Sequence, residues 1–98
     1  MWLSDKITTH YNEHRQYHHL VELHSNIPRN DLIIHLKDDY RLSSPKFEAW
    51  SVIFTRYVCL NACLSNGELA KLAGTTQRTL RRRQKTGIDL LYVQILLK

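Results

Sequence analysis

The residues best placed to do chemistry in this chain are cations. Lys71, Arg78, Arg81, Arg82, Arg83 and Lys85 put six positive charges into fifteen residues that contain no Asp or Glu. The chain holds 14 Lys and Arg against 9 Asp and Glu, so outside this segment eight cations face nine acids. The net charge of +5 is therefore the property of one stretch. A localised patch of one sign calls for a polyanion, nucleic acid ahead of an acidic membrane or an acidic protein.

Two other patterns invite chemistry and do not sustain it. His10, His14 and His18 recur every four residues, a spacing that metal sites on helices use. No His-Glu-x-x-His arrangement accompanies them and no carboxylate stands at a matching place, so neither a metal nor a cofactor is expected. Cys59 and Cys63 share the four-residue spacing on an expected helix. Their Cβ vectors would lean along the helix rather than toward each other, so reduced, largely buried thiols are expected. All three glycines read as helix breaks, which leaves no Gly-rich phosphate cradle, and no nucleophile elbow is present. Asp38-Asp39 reads as a turn, and Trp50 falls on a core stripe. The chain is not expected to be an enzyme.

The elements that position the basic segment must fit within 98 residues, enough for a single domain over 1–98. At 43% hydrophobic and 23% charged, the composition excludes a disordered or fibrous chain. No stretch nears the roughly 18 apolar residues that span a membrane, and Met1 to Lys6 runs into polar sequence. A soluble, cytoplasmic protein without membrane contact is expected.

Hydrophobic spacing divides the domain into residues 1–44 and 45–98. A first helix is expected from about Ser4 to Ser25, capped by Ser4 or Asp5 and stopped at Pro28. Leu3, Ile7, His10, His14, Tyr17, Val21 and His24 follow a 4-3 spacing along it, a soft seam for the rest of the chain or a second copy. If His10, His14 and His24 lined a dimer seam, it would weaken as they charge near pH 6. Residues 32–42 fit a short β-hairpin or one short helix, and the β-branched run Ile33-Ile34 favours the hairpin. Ser44 and Pro45 open a strong helix as N-cap and first helical residue. Its stripe of Phe47, Trp50, Ile53, Phe54, Tyr57, Val58 and Leu60, with Ala62 and Cys63 near the end, makes it the organising core element, with its stop near Ser65-Asn66-Gly67. Three short helices then follow, at about Glu68 to Ala73, Thr76 to Lys85 and Ile88 to Leu97, with Gly74 and Gly87 at two breaks. The fold class is mainly α.

Residues 66–85 carry the functional reading. Two short helices that cross steeply need a small residue at the approach and a flexible one at the turn, and Ala70 and Gly74 supply them. Leu69, Ala73 and Leu80 would fill the wedge, and Thr75 or Thr76 would cap the second helix. Ala at the fifth place, Gly at the ninth and an aliphatic at the fifteenth match the helix-turn-helix pattern. The wording from Gly67 to Arg81 also resembles the DNA-binding helices of MerR-type regulators and of small phage and plasmid helix-turn-helix proteins. The resemblance covers about a fifth of the chain. It departs from the MerR pattern in lying near the C-terminus, in lacking a following wing, and in placing Arg82-Arg83 where aromatics are usual. Arg83 also stands where the general pattern prefers an apolar residue.

The resemblance implies that the second helix enters the major groove of double-stranded DNA. Thr76, Gln77, Arg78, Arg81, Arg82 and Lys85 would then face the duplex. Gln77 suits adenine and Arg78 suits guanine, each by a bidentate pair of hydrogen bonds. Thr76, Arg82 and Lys85 would hold phosphates, and Arg81 could do either. The expected function is sequence-specific transcription regulation, as a homodimer joined through the last helix, the first, or both. Two alternatives stand beside it. One is an inhibitor or antitoxin-like module whose N-terminal part binds a protein partner, and the other is an excisionase-like architectural protein.

Overall fold

The computed structural model describes residues 2–96 as five helices, with no strand among the described residues. They are α1 (Trp2–Tyr17), α2 (Arg29–Arg41), α3 (Pro45–Tyr57), α4 (Asn66–Ala73) and α5 (Gln77–Leu96), with a 3-10 turn at Leu60–Ala62. The mainly α class is as expected from the sequence, and several boundaries are not.

Helix α3 is the centre. Ser44 accepts the Phe47 N–H and Pro45 sits in the first turn, so the start follows the sequence cues. Every residue from Ala49 to Thr55 is buried, as in a helix covered on all sides. The α1 and α5 helices make its largest contacts, and α2 touches both α3 and α4. Trp50 is a core residue, with His10 stacked on its ring at 5.3 Å and His14 at 5.9 Å. The end of α3 falls at Tyr57, well short of Ser65. Cys59 and Cys63 therefore flank the 3-10 turn instead of sharing a helix face. Cys59 is buried, which pushes its thiol up to about 12, whereas Cys63 is exposed in a left-handed conformation. The expectation of two largely buried thiols is corrected for Cys63.

The first helix begins at Trp2, which places Ser4 inside its first turn rather than at its cap, and it ends at Tyr17. The chain turns at His19, whose φ is 62°, and runs irregularly to Pro28. Side chains of α1 hold this connection. Asn12 accepts the Leu23 N–H at 2.8 Å and donates to the Leu23 carbonyl at 2.9 Å, and the Arg15 Nε donates to the Val21 carbonyl at 2.6 Å. These bonds replace the helical ones and bring Leu23 into the core. The 4-3 seam is accordingly divided. Ile7, His10 and His14 face inward, the two histidines over Trp50, while Leu3, Tyr17, Val21 and His24 remain exposed.

The expected hairpin over 32–42 is helix α2. Leu32, Leu36, Asp39 and Tyr40 are its buried side, so a helical period outweighs the strand preference of two β-branched residues. Asp39 is no turn residue. It accepts hydrogen bonds from Tyr11 Oη, from Arg15 Nη1 and from Ser51 Oγ, the last at 3.0 Å, and both members of the Arg15–Asp39 ion pair are fully buried. Burial pushes the Asp39 carboxyl above its ordinary range, against the Tyr11 bond and the Arg15 charge, which pull it back.

Candidate nucleic-acid interface

The basic segment lies on α4, a three-residue turn and the first half of α5. Asn66 and Gly67, expected to end a helix, instead form the first turn of α4. Ser65 accepts the Glu68 N–H while Glu68 accepts the Ser65 N–H, a reciprocal cap. That backbone bond, together with Arg29, holds the Glu68 carboxyl below its usual range. Arg29, at the start of α2, pairs with Glu68 and also donates to the Ala62 carbonyl at 2.6 Å. It ties the N-terminal half of the chain to the first helix of the basic segment.

The turn itself is as the spacing predicts. Gly74 is left-handed at φ 66°, a conformation that costs glycine little. The Thr76 hydroxyl accepts the Thr79 N–H at 3.1 Å and so caps α5. Leu69, Ala70 and Leu80 are buried, and Ala73 is half-buried.

Helix α5 differs from the expectation. It is one continuous helix of 20 residues, not two short ones parted at Gly87. Gly87 lies where α5 crosses α3. A Cβ built on it would fall 2.6 Å from the Ala49 carbonyl oxygen and 2.6 Å from Ile53 Cγ2. The residue is small because two backbones meet there, and the helix pattern runs through it unbroken. At about 30 Å, a helix of this length covers most of the 35 Å long dimension of the molecule.

Thr76, Gln77, Arg78, Arg81, Arg82 and Lys85 are all exposed, and the structure brings them together at the start of α5. With 3.6 residues per turn, Arg78, Arg81, Arg82 and Lys85 share an arc of about 100°, roughly opposite Leu80 and Gly87. Among the described residues, no hydrogen bond or ion pair engages Arg78, Arg81 or Arg82, and Lys85 stands 3.8 Å from Asp89 in solvent. Gln77 lies at the edge of the arc, its amide nitrogen 3.5 Å from where a Cβ on Gly67 would sit. Thr76 is partly committed, since its hydroxyl caps the helix.

Arg83 does not belong to this face. It turns toward α3 and stands 3.7 Å from Glu48, where a helix-turn-helix prefers an apolar residue. Its neighbour Gln84 donates to Tyr57 Oη at 2.7 Å. Glu48 carries no signal in the sequence, and Tyr57 and Leu60, expected on the core stripe, are exposed, because no local spacing links α3 to a helix some thirty residues later. Past Gly87, the apolar side chains Ile88, Tyr92, Val93 and Leu96 are exposed.

The histidines do other work. His10 and His14 stack on Trp50, and His18 lies 5.1 Å from the Phe47 ring. Among the described residues, no three His, Cys, Asp or Glu side chains gather as a metal site, and no helix is long and apolar enough to cross a membrane. No protein-family model, curated protein or solved structure matches this chain.

Proposed function

We propose that this protein is a sequence-specific DNA-binding transcriptional regulator that lays the first half of α5 in the major groove. The observation that carries the reading is the exposed face of Arg78, Arg81, Arg82 and Lys85, which holds no acidic residue as far as Lys85, where Asp89 pairs with it one turn on, and which lies opposite the stripe that packs on α3. Four cations on one arc neutralise phosphates and release counterions, and Gln77 and Arg78 near the helix start can reach base edges. In this reading α4, the Gly74 turn and α5 form a helix-turn-helix, α4 crosses the backbone, and the protein works in the cytoplasm with its DNA.

A homodimer fits this reading. One short recognition surface gives limited specificity, and two copies read two half-sites. The exposed apolar residues of α5 past Gly87 favour that end of the helix as the place where copies meet.

The experiment is selection of bound sequences from a random double-stranded DNA pool by the full chain. A defined motif, repeated with two-fold symmetry, is the expected result. Enrichment of no motif at any salt concentration would remove the proposal.

A further inference from the structure

Resting on the DNA-binding reading above, we infer that Glu48 and Tyr57 of α3 are positioning residues that set how α5 presents its basic face, and hence its base specificity. Neither residue lies on that face. Each meets α5 from behind, Glu48 as an ion pair with Arg83 at 3.7 Å and Tyr57 by accepting a hydrogen bond from the adjacent Gln84 at 2.7 Å.

The geometry makes the grip directional. Consecutive residues on a helix point about 100° apart, so Arg83 and Gln84 diverge from the α5 axis. They reach residues nine positions apart on α3, a separation of about 13 Å along that helix. One turn further on, Gly87 brings the α5 backbone against Ala49 and fixes the distance between the two helices. Leu80, Leu90 and Leu91 also pack α5 against the core, and apolar packing is non-directional, so it restricts a roll about the helix axis without fixing its angle. Two arms reaching opposite ways along α3 oppose that roll. At a radius of 5–6 Å, a roll of about 20° displaces a side chain by about 2 Å, enough to break a bidentate contact to a base edge.

Phosphate contacts tolerate such a roll far better. Long, flexible cations follow a phosphate, whereas a bidentate pair needs fixed geometry. The grip should therefore govern discrimination between sequences more than overall affinity. The Glu48–Arg83 pair is mostly shielded from solvent, with side chains 17% and 29% accessible, so its loss can also cost stability and the melting temperature is read beside the affinities. Arg83, the one cation of the segment turned inward, thereby gains a role that no phosphate contact assigns to it.

The test compares Glu48→Gln, Tyr57→Phe, Arg83→Glu and the swap Glu48→Arg with Arg83→Glu in the full chain. Affinity is measured for the selected duplex and for a scrambled duplex across a salt series, beside the melting temperature. Glu48→Gln should keep the salt slope and the scrambled-duplex affinity, while the preference for the selected duplex falls about tenfold. Tyr57→Phe should act in the same direction, and the charge swap should restore much of the preference that Arg83→Glu alone removes. Unchanged preference in Glu48→Gln overturns the inference and leaves the DNA reading standing. So does a loss on both duplexes that tracks the melting temperature, or a swap that restores nothing. A wild-type chain that binds the two duplexes equally overturns the reading and the inference together.

Discussion

Arg15 of α1 and Asp39 of α2 meet as an ion pair with both side chains wholly shut off from solvent. Tyr11, Ser51 and the Val21 carbonyl complete their hydrogen bonds, which is the condition under which buried charge is tolerated. Removing one partner leaves the other charged and unpaired. Asp39→Asn or Arg15→Met should each cost about 3–5 kcal/mol, a large part of what a domain of this size possesses. Replacing both by apolar residues should cost clearly less than the sum, which urea unfolding of the two singles and the double will measure.

Gly87 gives a prediction whose sign depends on magnitude. Within a helix, alanine is favoured over glycine by about 1 kcal/mol. Here the added methyl would fall 2.6 Å from the Ala49 carbonyl, and overpacking of that kind costs about 1–3 kcal/mol. Gly87→Ala should therefore destabilise the protein in thermal unfolding, and a Gly87→Val variant should do so more. A neutral or stabilising Gly87→Ala would mean that α3 and α5 stand further apart than described.

Acid should weaken the α1–α3 contact through His14. Burial against α3 lowers its pKa from the ordinary 6.5, and the charges of Lys46, His18 and His10 add to the effect against Glu13. A histidine whose folded pKa is depressed binds fewer protons in the native state just below pH 6.5, so stability rises with pH across that window. The contribution is complete above about pH 6.5 and disappears as pH falls through the lowered value. The melting temperature should drop from pH 7.5 to pH 5, and His14→Gln should flatten that dependence. A His14→Gln profile parallel to wild type would assign the effect to other groups.

Arg78 and Lys85 should separate base reading from phosphate binding. Arg78→Ala should cost about 1–3 kcal/mol on the selected site and relax preference at one base pair. Lys85→Ala should weaken every duplex alike and reduce the salt slope by about one unit. Titrations of both variants at several salt concentrations distinguish the two patterns, and a double variant that binds like wild type would remove α5 from the interface.

Much of the local structure was legible in the residues themselves. Ser44-Pro45 marked the start of α3, Gly74 the tight turn and Thr75 or Thr76 the cap of α5, which is Thr76, because each acts on backbone groups a few residues away. The basic face was legible for the same reason, since a helical period alone places Arg78, Arg81, Arg82 and Lys85 on one side. Tertiary packing decided the rest. The α2 segment is helical although Ile33-Ile34 suggested a strand, because Leu32, Leu36 and Tyr40 bury on one side only with a helical period. The first helix stops at Tyr17 because Asn12 and Arg15 take over the backbone of the connection that follows. Gly87 looked like a break and is a crossing point, a difference visible only when Ala49 stands opposite it. Arg83 stands out in the sequence as a cation where the motif prefers an apolar residue, but that Glu48 receives it is visible only in the fold. Caps, turns and faces depend on neighbours within one or two turns of chain and can be read in order. Crossings and ion pairs depend on residues tens of positions away, and only the folded chain brings them together.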